Sequence, residues 1–107
     1  MKFQVRILAE AEEDLFEIFS YVAAEDSPRA GLALVDHLEG ACMSLATLPN
    51  RGRIPPELRA VGIQDFREIF FKVYRIIYRV EKAAVYIYAI LDGRRDLTDL
   101  LLERLLR

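Results

Sequence analysis

Arginine is the residue type with the most chemistry to offer in this sequence. Seven basic residues fall between positions 51 and 79 (Arg51, Arg53, Arg59, Arg67, Lys72, Arg75 and Arg79) against three acids, and Arg94 and Arg95 follow as a pair. Guanidinium groups grip phosphate and carboxylate oxygens two at a time and steady negative charge, but their high pKa makes them poor bases. Arg75 and Arg79 stand four apart on one side of an alternating run. That spacing is roughly 13 Å along a strand, too far for one phosphate to bridge both directly. The same side chains can instead cover a sheet edge and pair with Glu68, Glu81 or an acidic partner.

The other reactive side chains have simpler roles. Tyr74, Tyr78, Tyr86 and Tyr88 have faces on which bases could stack, yet tyrosines in strands generally pack across strands with the hydroxyl at the rim. Glu10, Glu13, Asp14 and Glu17 form a carboxylate row that no further ligand closes, so the expectation is a solvated helix face and no metal. Cys42 is the only cysteine and falls beside an apolar stripe, as a small buried hydrophobe does. His37 belongs on a helix surface. One cysteine and one histidine make neither a disulfide nor a structural zinc site. No cofactor is called for.

The elements that must position these residues follow from hydrophobic period. Lys2–Leu8 alternates, with Phe3, Val5 and Ile7 on one side, as a strand does. From Ala9 the spacing becomes helical, with Leu15, Ile18, Phe19 and Val22 in one stripe. Asp26-Ser27-Pro28 starts a second helix, whose stripe is Leu34, Leu38, Ala41, Leu45 and Leu48 and which stops before Pro49. The short polar link predicts an antiparallel helical hairpin. Residues 49–65, rich in proline and glycine but anchored by Ile54, Leu58, Val61 and Ile63, read as an ordered excursion. Three strand-forming runs follow: Phe66–Phe71, Val73–Val80 and Ala84–Leu91. In the second, Tyr74, Ile76, Tyr78 and Val80 oppose Val73, Arg75, Ile77 and Arg79. In the third, Val85, Ile87, Ala89 and Leu91 oppose Tyr86, Tyr88 and Ile90. Glu81-Lys82-Ala83 closes a hairpin between them. After the break at 92–96, Leu97–Leu106 carries six leucines, more than one helix face hides, so some rest on the core and others offer a strip to a partner. The expectation is an α+β fold: N-terminal strand, αα-hairpin, largely antiparallel three-strand run and short C-terminal helix, with the helices on one face of the sheet. Residues 1–107 are expected to form one domain.

At 107 residues and 53% hydrophobic content, the chain has enough apolar surface for one core and is too apolar for disorder. No apolar run reaches the roughly 20 residues of a membrane helix, and no secretory h-region follows Lys2. The expected setting is the cytoplasm. The net charge of −2 conceals an asymmetry: residues 1–50 hold three basic and nine acidic residues, while residues 80–107 hold five of each. A pI near 5.4 disfavours a broad nucleic-acid platform, whereas the basic middle permits a small arginine-lined site.

The words within this order of elements are more specific than the order itself. Ala11-Glu12-Glu13-Asp14-Leu15-Phe16-Glu17-Ile18 with Tyr21 opens the first helix, and Leu48-Pro49-Asn50-Arg51-Gly52-Arg53 closes the second, with Pro56-Glu57-Leu58 soon after. Phe66-Arg67-Glu68, Tyr74-Arg75-Ile76-Ile77-Tyr78-Arg79 and Ile90-Leu91-Asp92-Gly93-Arg94-Arg95-Asp96 follow. Across almost the whole chain this resembles the RelE/ParE superfamily, the toxins of bacterial type II toxin–antitoxin systems, often called plasmid-stabilisation proteins. ParE-like members bind and poison DNA gyrase, whereas RelE-like members cut messenger RNA in the ribosome.

Cleavage of RNA by its own 2′-hydroxyl needs a base or strong local field, a cation and a donor to the leaving oxygen. The resemblance implies Arg67, Arg75, Arg79 and Arg94 as the basic members of such a site. Asp92 stands where a frequent family form has histidine, and no tyrosine or histidine follows Tyr88. The Gly-Arg-Arg-Asp run with its leucine-rich end looks closer to ParE, which implies a binding inhibitor more than an enzyme. On that reading Arg94, Arg95, Leu101 and Leu105 contact the target. Leu15, Phe19, Arg75 and Arg79 contact a cognate antitoxin in a hetero-oligomer. DNA gyrase is the implied target, with the ribosome and messenger RNA as the alternative, and no membrane is involved.

Overall fold

The alternation at the start of the chain becomes strand β1 (Gln4–Ile7), and the change of period at Ala9 becomes helix α1 (Ala9–Glu25). The computed structural model describes residues 2–106. Helix α2 (Pro28–Met43) begins as its sequence predicts, with the Ser27 hydroxyl accepting the Ala30 N–H at 3.1 Å and Pro28 in the first turn. The two helices close tightly because residue 31 is glycine: a Cβ there would lie 2.9 Å from Phe19 Cδ1. Helix α2 ends sooner than the leucine spacing suggests. Leu45 sits in a single 3₁₀ turn, Ser44–Ala46. Leu48 has φ of 52° and is 74% exposed, so it is no part of the buried stripe. The residue before a proline is disfavoured in the right-handed helical region, and Pro49 takes Leu48 out of it.

Strands β2 (Arg67–Phe71), β3 (Tyr74–Glu81) and β4 (Ala84–Asp92) join β1 in one sheet of order β1-β4-β3-β2, with β1 parallel to β4 and the remaining pairs antiparallel. Ile77 pairs with Ala89 but Tyr78 pairs with Ile87, so Tyr88 is an extra residue, a bulge. The bulge shifts the alternation. Ile87 and Ile90 both join the core under the helical hairpin, and Ala89 joins the other, where simple alternation predicts Ile87 and Ala89 together.

Two cores result, one on each face of the sheet. Leu15, Leu38, Cys42 and Leu45 pack on Ile76, Tyr78, Val85, Ile87 and Ile90. On the opposite face, set by the strand alternation of Ile76 and Ile77, Leu58 of the one-turn helix α3 (Pro56–Arg59) and Leu97, Leu101 and Leu105 around α4 (Thr98–Leu105) cover Ile77 and Ala89. The expectation of helices on one face therefore needs correction. Burying a leucine contributes roughly 1.5–3 kcal/mol, so the terminal leucines are sufficient reason for α4 to lie on the sheet. Leu106, by contrast, is exposed. Among the described residues no helix is long and apolar enough to cross a membrane.

Candidate functional site

The arginines in the basic middle are mostly occupied. The Glu68 carboxylate is fully buried between Arg75 Nε at 2.6 Å and Arg53 Nε at 2.8 Å. Arg75 also grips Glu57 of α3 with both terminal nitrogens, at 2.7 and 2.8 Å. Hydrogen bonding to Arg75 holds the Glu57 carboxyl below its usual range, and the same bond leads in pushing the Arg75 pKa up. Buried and gripped by two carboxylates, Arg75 presents no free face to substrate or antitoxin. Arg67, next to Glu68 on β2, points to the opposite face and donates to the Gly52 carbonyl at 2.8 Å. Arg79 lies over the Phe66 ring and 3.6 Å from Glu81. Arg67 and Arg79 do share a polar cleft of about 270 Å³ at the end of the sheet, beside Asn50, Asp65 and Glu81. Arg94 lies beyond the far end of β4, so the four arginines do not converge on one point.

The hydroxyl of Tyr78 is not at a rim. It donates to the Pro49 carbonyl at 2.6 Å and accepts the Gly52 N–H at 3.0 Å, tying the 49–52 turn to the sheet, and its burial raises its pKa. Gly52 has to be glycine on grounds of space: a Cβ there would lie 2.5 Å from the Glu68 carbonyl oxygen.

The turn after β4 is built differently. Asp92 Oδ1 accepts the Arg94 backbone N–H and Nε, each at 3.0 Å, and Oδ2 accepts Nη2 at 2.6 Å. Asp96 accepts the Thr98 N–H at 3.1 Å. Two aspartates each bonding a backbone N–H two residues on bracket the turn, a habit of that side chain. The Arg94 bonds hold the Asp92 carboxyl down at about 2, and hydrogen bonds from Thr98 lower that of Asp96. Gly93 donates to the Val73 carbonyl at 2.8 Å, and a Cβ at 93 would meet Arg75 Cγ at 2.8 Å. The result is a short, fixed platform from which Arg94 and Arg95 project into solvent. Leu101 and Leu105, expected beside them at a target surface, are instead buried and hold α4 behind the turn. Of the residues expected to meet an antitoxin, Leu15 is buried, Phe19 is half-buried against α2 and Arg75 is taken. Arg79 keeps an open side.

The carboxylate row on α1 is not uniformly solvated. Strand β1 stops pairing at Ile7, leaving the outer edge of β4 uncovered beyond Ile87. Asp14 fills the gap. It is buried, accepts the Ile90 N–H at 2.9 Å and forms a two-pronged pair with Arg104 at 3.0 and 2.7 Å. Arg104 also donates to the Tyr88 carbonyl at 3.0 Å. Burial works against the Arg104 charge, but the hydrogen bond to Asp14 and the charges of Asp14, Glu10 and Glu17 together raise the Arg104 pKa. The sequence carried a signal for this: Asp14 falls in the stripe of Ala11, Leu15 and Ile18 on the core side of α1. Between α1 and the end of β4 lies a cleft of about 450 Å³, with Ile18, Tyr21, Tyr74 and Leu91 in its walls and Arg94 and Arg95 at its mouth. Burial leads in raising the Tyr74 pKa there.

Among the described residues, no three His, Cys, Asp or Glu side chains are placed to hold a metal. Cys42 is fully buried, its thiol pushed up to about 12 chiefly by desolvation, and is inert at neutral pH. His37 stacks on Phe71 from the helix surface.

A family model, described as the ParE toxin of the type II toxin–antitoxin system parDE, matches residues 5–97. A solved structure described as the chromosomal ParDE TA system from P. aeruginosa is similar in fold, with a TM-score of 0.70 and 18% sequence identity over 83% of this chain and 94% of that one. Among curated proteins, none matches.

Proposed function

This chain belongs to the ParE toxin family of type II toxin–antitoxin systems, and from that premise we propose that it acts in the cytoplasm as a binding inhibitor of DNA gyrase, neutralised in a hetero-oligomer with a cognate antitoxin. The observation that carries the proposal is the contrast among its arginines. Arg94 and Arg95 stand outward on a turn fixed by Asp92 and Asp96. Arg75, which a nuclease site would need, is closed off by Glu57 and Glu68. Projecting cations on a rigid turn suit recognition of a protein surface or of phosphates near it. They offer no general base.

A second function, ribosome-dependent cleavage of messenger RNA, draws on the polar cleft that Arg67 and Arg79 share. Its weakness is chemical, because the cleft walls supply arginines and acids but no histidine or tyrosine.

Induced expression in a bacterial host, with DNA integrity and protein synthesis followed in parallel, separates the two. Gyrase inhibition gives early double-strand breaks while translation continues, and Arg94→Ala with Arg95→Ala abolishes them. Early translation arrest with cut messages and intact DNA, lost on Arg67→Ala or Arg79→Ala, would reverse the assignment.

A further inference from the structure

We infer that the polar cleft at the open end of the β2–β3 pair binds a backbone phosphate of DNA, holding the strand without cutting it. The inference rests on the gyrase reading above and deepens it, because gyrase works on DNA and this cleft gives the inhibitor a grip on that DNA as well as on the enzyme.

Arg67 and Arg79 are anchored by neutral groups, unlike Arg53 and Arg75, which carboxylates hold at 2.6 to 2.8 Å. Arg67 uses one of its five N–H donors on the Gly52 carbonyl. The Arg79 guanidinium lies 5.8 Å from the centre of the buried Phe66 ring, which fixes its direction and leaves its charge unmatched. Glu81 stands 3.6 Å from it with both side chains partly exposed, a kind of pair that contributes little. Two guanidiniums are thus positioned in advance with charge left for a ligand.

Beside them stands an open backbone donor. Glu68 turns its N–H and carbonyl to Arg53, so its neighbour Arg67 faces β3 and pairs with Tyr78. Strand β2 begins at Arg67, while β3 runs on to Glu81. Alternation points the Val80 N–H and carbonyl the same way as those of Tyr78, into space that β2 does not cover. The N–H lies on the Arg79 side of Val80 and the carbonyl on the Glu81 side. Val80 lines the cleft, whose volume of about 270 Å³ admits a phosphate group. A peptide N–H flanked by guanidiniums is a donor set for an oxyanion.

The remaining walls select the kind of anion. Asp65 and Glu81 bring two negative charges that balance the two arginines. A phosphodiester, with one charge, is therefore tolerated better than a free phosphate or an acidic peptide carrying more. Asn50 and Gln64 supply exposed amides to the sugars on either side. With no histidine or tyrosine in its walls, the cleft holds the phosphate and has no general base to break its ester. The Arg94–Arg95 turn follows the opposite end of the β3–β4 pair, since Asp92 pairs with Tyr74 and Tyr86 with Arg79. One chain thereby touches protein at one end and DNA at the other.

The test follows the Val80 amide of the full chain by NMR while a short DNA duplex, an RNA strand of matching sequence and inorganic phosphate are titrated in turn. The expected result is a saturating shift of the Val80 amide with DNA and a weaker response to inorganic phosphate. Arg79→Ala raises the Kd for DNA several-fold and lowers the slope of log Kd against log salt by about 1. Glu81→Gln tightens binding, a gain that no loss of fold mimics. A Val80 amide unmoved by DNA, or both variants binding as the parent does, would overturn the inference, while DNA breaks on induction would still support the gyrase reading. Preference for RNA over DNA would overturn it too, by assigning the cleft to messenger RNA. Failure of the gyrase reading shows separately, as induction without DNA breaks while the purified chain still binds DNA at Val80.

Discussion

Two clusters of arginine and carboxylate, neighbours at the same end of the β3–β4 pair, put the same chemistry to opposite use. Around Arg75, two glutamates and a second arginine close on one another, and the Glu68 and Arg75 side chains keep almost no solvent contact. Around Arg94, one aspartate engages one arginine in the open, with the Arg94 side chain 69% exposed and Arg95 left over. Water decides the difference. A buried ion must be matched or it costs several kcal/mol, so the first cluster is a fastening that joins α3 and the 49–57 excursion to the sheet. An exposed pair contributes little to stability, so the second is free to serve recognition. Counting arginines in the sequence does not separate the two roles; the carboxylates that surround each one do.

Removing the same group from both clusters is the sharpest test of this contrast. Arg75→Ala leaves Glu68 buried beside Arg53 alone, with an expected loss of about 3–5 kcal/mol in urea unfolding. Arg94→Ala should stay within about 0.5 kcal/mol of the parent while eliminating growth arrest. Equal losses at the two sites would erase the distinction. Next in size is Leu101→Ala, expected to cost about 2–5 kcal/mol through the cavity it opens. Leu106→Ala, at the exposed end of the same leucine-rich tail, should change stability by less than about 0.5 kcal/mol. A toxicity defect in Leu101→Ala that is relieved when the expression temperature is lowered would mark its role as support for the turn.

The smallest expected effect is acid sensitivity. Asp92 titrates at about 2 in the folded chain against an ordinary 3.8. A depressed carboxylate contributes stability that is complete above its unfolded pKa and is lost as pH falls through the folded value. Its contribution therefore disappears between roughly pH 4 and pH 2, in the same direction as that of Glu57, whose carboxyl is also lowered. Carboxyl titration by NMR should place Asp92 near 2, and Arg94→Ala should return it toward 3.8.

What the sequence made legible was local. The αα-hairpin, the Ser27 cap and the two faces of β3 each follow from residues within a few positions of one another, where spacing alone sets orientation. The Gly-Arg-Arg run stood out as a candidate contact only through the resemblance to the family, not through spacing. Three features were not legible. Arg75 meets Glu57 from 18 positions away, a distance no periodicity encodes. The bulge at Tyr88 keeps every residue in a strand and changes only which face each one sees. Leu101 and Leu105 reach a second core because Ile77 and Ala89 leave apolar surface on the far side of the sheet, and a leucine-rich tail reads the same whether it lies on its own domain or on another protein.

The pairing of Asp14 with Arg104 spans 90 positions of the chain, and this bears on how the protein comes into being. The sheet needs only residues 4–92, so until α4 docks, Asp14 faces the β4 edge without its cation. Closure of so long a loop costs entropy that only the finished assembly returns, and such distant contacts slow the last step of folding. A chain truncated before Arg104 would carry nearly all of its sheet yet lack the clasp that sets α4 behind Arg94 and Arg95.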